Sequence, residues 1–129
     1  MQEFPKSRLR RNRKAEWSRR LVAENTLTPH DLILPMFVIE GKGEKQTIKS
    51  MPDVYRLSVD NVIATAKLAR QLEIPAIALF PCIQDSKYKS PEGREAINRN
   101  NLICRTIRAI KNEIPDIGII TDIALDPYT

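Results

Sequence analysis

The densest chemistry in this 129-residue chain lies at residues 121–129, Thr-Asp-Ile-Ala-Leu-Asp-Pro-Tyr-Thr, where Asp122 and Asp126 follow an apolar run four residues apart. If the run continues as a strand, Asp122, Ala124 and Asp126 face the same side. Two carboxylates aimed into one pocket can hold a hard cation through oxygen or divide acid–base work between them. The same spacing fits a plain strand end, because Asp before Pro often closes a strand in a turn. The two cysteines, Cys82 and Cys104, have neither zinc-ligand spacing nor the numbers for a disulfide framework, and read as ordinary thiols of a reducing compartment.

The elements that must position the carboxylates are short. Residues 32–39 (LILPMFVI), 76–80 (AIALF) and 117–123 (IGIITDI) are nearly continuous apolar runs, the pattern of strands covered on both faces in a parallel sheet, although Pro35 interrupts the first. Between the first two, a helix is predicted from Ser58 as its cap to about Leu72, with Asp60 in its first turn and Val59, Val62, Ile63, Ala66 and Ala69 along one face. A second helix is predicted over residues 98–112, with Ile103, Ile107 and Ile110 aligned. Before the first strand, residues 15–24 suit a short helix, and Thr28-Pro29-His30-Asp31 suits a cap followed by a helical turn. The order strand–helix–strand–helix–strand implies a parallel sheet with right-handed crossovers.

Residues 40–57 and 81–97 read as long loops, whereas the helix-to-strand connections are very short. Long structureless loops are uncommon unless functional, and the carboxyl ends of strands carry the site in α/β folds. The working edge is therefore expected beside Phe80, Pro81, Cys82 and the Asp122–Asp126 pair, with packing alone enough to explain the first three. Only four glycines occur and no GxGxxG or GxxxxGK[ST] is present, which disfavours a nucleotide cradle.

The net charge of +5 is concentrated at the front, where residues 1–20 carry eight basic side chains against Glu3 and Glu16. A basic arm can contact nucleic acid by releasing counterions from phosphate, but it can equally be solvated or packed on another subunit. Trp17 is its only stacking aromatic apart from Phe4, and no RNA-binding aromatic pattern accompanies it, so nucleic acid is not the expected partner. No apolar run is long enough to span a bilayer and no secretory leader is evident, so a cytoplasmic, non-membrane protein is expected.

Several blocks together resemble porphobilinogen synthase. LTPHDLILPMFVIEG resembles the family's first barrel strand, and MPDVYRLSVDN its MPGVxRxS loop. AIALFP is similar to the second strand, KSPEGREAINRNNLICRTIRAIK to the K-x-x-x-G-x-E-A-x-N loop and the helix after it, and TDIALDPYT to the metal-binding segment. The similarity runs in family order over residues 8–129. It implies a partial (β/α)8 TIM barrel containing the first three strands and two helices, with residues 1–27 as an oligomerisation arm and residues 28–129 as the truncated barrel.

What the resemblance implies for function is the condensation of two molecules of 5-aminolevulinate to porphobilinogen in haem and related tetrapyrrole synthesis, through Schiff bases on active-site lysines. Those lysines belong to later strands, and none of Lys42, Lys45, Lys49, Lys67, Lys87, Lys89 or Lys111 matches their place. Asp126 falls at a metal-ligand position and Asp122 at an adjoining active-site position. Zinc-dependent members have Cys where this chain has Ala124 and Asp126, so the resemblance is to the magnesium-type branch, without zinc at the active site. It further implies a homo-oligomer, commonly an octamer, in which residues 8–24 wrap a neighbouring barrel. Three strands of eight cannot close a barrel, so the expectation is a chain inactive alone; the alternative is a non-catalytic remnant or assembly module that associates with itself or an intact homologue.

Overall fold

The computed structural model describes Glu3, Lys6 and residues 10–129. Part of the predicted arm, including Arg8, lies outside the described residues. The described arm is a turn at Arg11–Arg13 followed by helix α1 (Glu16–Leu21), joined where Ser18 donates its hydroxyl to the carbonyls of Asn12 and Ala15, each at 2.9 Å. Trp17 and Leu21 on α1 point into solvent. The Thr28 cap is present: the Asp31 carboxylate accepts from the Thr28 backbone N–H and hydroxyl at 2.8 and 2.9 Å, which holds its pKa below the ordinary value.

Five strands form one sheet: β1 (Ile33–Ile39), β2 (Lys45–Thr47), β3 (Tyr55–Ser58), β4 (Ala76–Pro81) and β5 (Gly118–Thr121), in the order β2-β3-β1-β4-β5. The three predicted strands are the neighbours β1, β4 and β5, all parallel, with Met36 opposite Leu79 and Leu79 opposite Thr121. Residues 40–57 are not the open loop expected from their lack of period. They fold back as β2, antiparallel to β3, and β3 then lies parallel to β1 across Phe37–Ile39. Pro35 is tolerated because that part of β1 has β4 as its sole neighbour, leaving one side with no ladder to break.

Helices α2 (Val59–Gln71) and α3 (Leu102–Glu113) cover one face of the sheet. Met36, Val38, Ile77 and Leu79 point toward them, and Val62, Ala66, Ala69, Leu102, Ile103 and Ile110 close the core from above. Exposed ion pairs Lys67–Glu113 and Arg70–Asp116 link the outer ends of this layer, at 2.9 and 2.7 Å. The helix α2 ends with Glu73 in the left-handed region, its N–H bonded to the Arg70 carbonyl and that of Ile74 to the Ala69 carbonyl, a closure that usually takes glycine. The helix α3 begins four residues later than predicted, because Asn101 caps it by accepting the Cys104 N–H at 2.8 Å while residues 94–97 form a separate turn.

Ser58 occupies the cap position of α2, but it works differently from the prediction. Its fully buried hydroxyl donates to Asp60 at 2.5 Å and accepts the Glu44 N–H at 2.9 Å, tying the β2 strand to the helix start. Ser58→Ala strands that N–H and is expected to cost about 1–3 kcal/mol in urea unfolding. The Ser58 bond is also the main cause that holds Asp60 below the ordinary carboxylate value of 3.8. A depressed folded pKa means that this contribution is complete above the unfolded value and fades as pH falls through and below it.

Candidate functional site

The opposite face of the sheet has no covering layer among the described residues. Side-chain alternation puts Pro35 and Phe37 of β1, Ala76, Ala78 and Phe80 of β4, and Gly118 and Ile120 of β5 on it. Small residues line its amino end, where a side chain on Gly118 would come within 3.0 Å of the Ala76 Cβ. Aromatic residues line its carboxyl end: Phe37 and Phe80 are register partners whose ring centroids are 5.9 Å apart.

At that carboxyl end a cavity of about 550 Å³ opens between the strand ends and α3. Phe37, Phe80 and Cys82 form one wall, Cys104 and Ile107 another, and residues 121–128 the rim. Both Asp122 and Asp126 line it, as does Ala124. They do not reach it by the predicted strand alternation. The strand β5 stops at Thr121, two residues short of expectation, residues 122–124 are irregular, and Asp126–Tyr128 is a helical turn.

Neighbouring contacts explain that departure. The loop after β4 grips the terminal segment: the Ser90 N–H donates to the Tyr128 carbonyl at 2.9 Å, the Lys89 ammonium to the Thr129 carbonyl at 3.3 Å, and Gly93, at φ +60, sits under Leu125 and Thr129. Within the turn the Tyr128 N–H donates to the Leu125 carbonyl at 2.8 Å. These bonds pull the chain off the sheet and carry Asp126 over the cavity. Glu40, at the end of β1, is paired with Arg105 of α3 across the same edge.

The electrostatics are simple. Asp122 and Asp126 are exposed and belong to none of the ion pairs formed among the described residues, so two free carboxylates face a mostly apolar hollow. No lysine lines it. Lys87, held by Asp85 at 2.8 Å, has its pKa raised, the reverse of what an amine needs to attack a ketone. Tyr128, absent from the sequence-based site, is almost fully buried against the cavity, and burial, followed by the proximity of Cys104 and Glu95, raises its pKa. The thiols of Cys82 and Cys104 are free and half-buried in the cavity wall. Among the described residues no cluster of three or more His, Cys, Asp or Glu side chains is placed to hold a metal ion, and no helix is long and apolar enough to cross a membrane.

Parallel strands with helices on one face, an open inner face and a cavity at the carboxyl ends define part of an α/β barrel of the enzyme-bearing kind. The comparisons agree. A family model for delta-aminolevulinic acid dehydratase matches residues 6–129, and the chain belongs to that family, also called porphobilinogen synthase. It is similar to the delta-aminolevulinic acid dehydratase of Bradyrhizobium diazoefficiens, 55% identical over 95% of this chain and 34% of the relative. The Synechocystis protein is 40% identical over 98% of this chain and 38% of its own length. The crystal structure of the Toxoplasma gondii ME49 enzyme, solved with its reaction product porphobilinogen, superposes with a TM-score of 0.84 at 40% identity, covering 95% of this chain and 34% of that one. The chain thus spans roughly a third of the length of the relatives it matches.

Proposed function

We propose that this chain supplies the first part of a porphobilinogen synthase barrel and one carboxylate-bearing wall of its active site. The reaction is the condensation of two molecules of 5-aminolevulinate with loss of two waters, through Schiff bases on lysines that this chain does not provide. The observation that carries the reading is the cavity at the strand ends, which holds two unpaired carboxylates and no lysine in a chain of this family.

In this reading Asp122, just past the end of β5, and Asp126, on the turn above, attract the ammonium of an aminoketone, and the apolar wall of Phe37, Phe80 and Ile107 excludes water from the carbon chain. Asp122 can also take or return a proton during condensation. Asp126 offers the oxygen donor that magnesium prefers, and Ala124 and Asp126 offer none of the thiolate that favours zinc. Two carboxylates fit magnesium in kind but not in number.

The isolated 129-residue chain, assayed with magnesium, is expected to form no porphobilinogen from 5-aminolevulinate. Sustained product formation would mean that one of its own lysines makes the Schiff base. Joining the chain to the remaining part of a relative and assaying turnover tests the positive half of the reading. A second reading, a homo-oligomeric assembly module built on the arm of residues 1–27 and the barrel body of residues 28–129, rests on the exposed Trp17, Leu21 and Leu27 and on the open face with Ile33 and Ile120. It predicts a mass above the monomer in light scattering, lowered by Trp17→Ala together with Leu21→Ala.

A further inference from the structure

We propose that the Tyr128 hydroxyl opens into the strand-end cavity and recognises the ketone oxygen of a bound aminoketone, which makes Tyr128 a specificity-determining residue of this site. The inference rests on the proposed substrate class but adds a residue and a role to it.

Three observations carry it. Tyr128 is 5% exposed and lines the same cavity as Asp122 and Asp126, so its ring is fixed by packing instead of trailing in solvent. Its backbone is held at both ends, the carbonyl by the Ser90 N–H at 2.9 Å and the N–H by the Leu125 carbonyl at 2.8 Å, so the ring has little freedom to leave. Its hydroxyl has no hydrogen-bonding partner among the described residues, yet no side-chain oxygen among them is both sealed from solvent and unpartnered. A buried phenol without a partner is costly unless its hydroxyl reaches open space, and the space that Tyr128 adjoins is the cavity.

The chemistry of the cavity then sorts its ligands. Two carboxylates attract an ammonium and repel a carboxylate, which places the amino end of an amino acid chain in the hollow. In 5-aminolevulinate the ketone is one carbon from that ammonium, so an oxygen acceptor enters with it, and the packed Tyr128 phenol, on the same segment as both carboxylates, is a neutral donor placed to meet it, with the Thr121 hydroxyl also on the lining. Isosteric removal of the hydroxyl takes away the donor while keeping the ring.

The test compares 5-aminolevulinate with 5-aminopentanoate, which keeps the ammonium and carboxylate but lacks the ketone, by NMR titration of the 129-residue chain labelled at the tyrosine Cζ carbons. The unsubstituted chain is expected to bind the ketone-bearing ligand about fivefold more tightly, the worth of one neutral hydrogen bond, and to shift the Tyr128 Cζ signal with that ligand alone. Tyr128→Phe, with unchanged far-UV circular dichroism, is expected to bind both ligands equally. A purely structural Tyr128 would weaken both ligands together and leave their ratio intact. Equal binding by the unsubstituted chain, an unshifted Cζ signal or no binding of either ligand would overturn the proposal. The underlying substrate reading is judged separately by turnover in the completed barrel.

Discussion

Residues 1–129 joined in frame to the part of the Bradyrhizobium diazoefficiens relative that follows its matched segment are expected to convert 5-aminolevulinate to porphobilinogen, where residues 1–129 alone give none. The matched region is 55% identical across 95% of this chain, so the strands β1, β4 and β5 should meet their missing neighbours with nearly native register. The open edge of β5 and the uncovered inner face are the surfaces such neighbours need, and no lysine of this chain lines the cavity they would enclose. Within this joined chain Asp122→Asn keeps shape and removes charge, and is expected to lower kcat at least about 10²-fold, the scale of losing a positioned acid–base group. Steady-state assays on the joined chain and its variant decide both points. A folded joined chain without turnover would sink the proposed activity, and full turnover by the Asp122 variant would remove Asp122 from the chemistry while leaving the barrel reading intact.

The parts of this architecture written in long periods were legible in the sequence. The strands β1 and β4 are nearly continuous apolar runs, interrupted in β1 at Pro35, and the buried Val62, Ala66 and Ala69 of α2 are the face that three- and four-residue spacing predicts. The strands β2 and β3 were not legible, because three and four residues such as Lys-Gln-Thr and Tyr-Arg-Leu-Ser are too few to show alternation, and their pairing depends on β1 and on the buried Ser58 hydroxyl, which are remote or ambiguous in sequence. At the site, Asp122 and Asp126 were found by type, while the path that joins them depends on Ser90 and Lys89, some forty residues earlier, pulling the chain off β5. Tyr128 carried a faint signal, an aromatic in the same nine residues as both carboxylates, but its burial comes from the loop laid over it.

The two faces of the sheet should respond to truncation in opposite ways, and Leu79→Ala against Ile120→Ala shows how. Leu79 has no exposed surface and sits in β4, an interior strand of the sheet, opposite Met36 on one side and Thr121 on the other, beneath the helical layer. Removing its three outer carbons leaves a hole that flanking strands cannot close, at a cost of about 2–5 kcal/mol. A single domain commonly has only about 5–15 kcal/mol in total, and a sheet with one bare face should lie near the low end, so the variant is expected to be largely unfolded or to lose about 1–3 M from its urea midpoint. Ile120 projects from the bare face and is 47% exposed, so Ile120→Ala should change the midpoint of the 129-residue chain by less than about 0.5 kcal/mol equivalent. In the joined, completed barrel the same Ile120 becomes interior, and its truncation should then cost about 2–5 kcal/mol as well. Parallel urea titrations of the two substitutions in both chains measure this directly. An Ile120 variant equally mild in both would show that the inner face stays uncovered and that the barrel does not close over it.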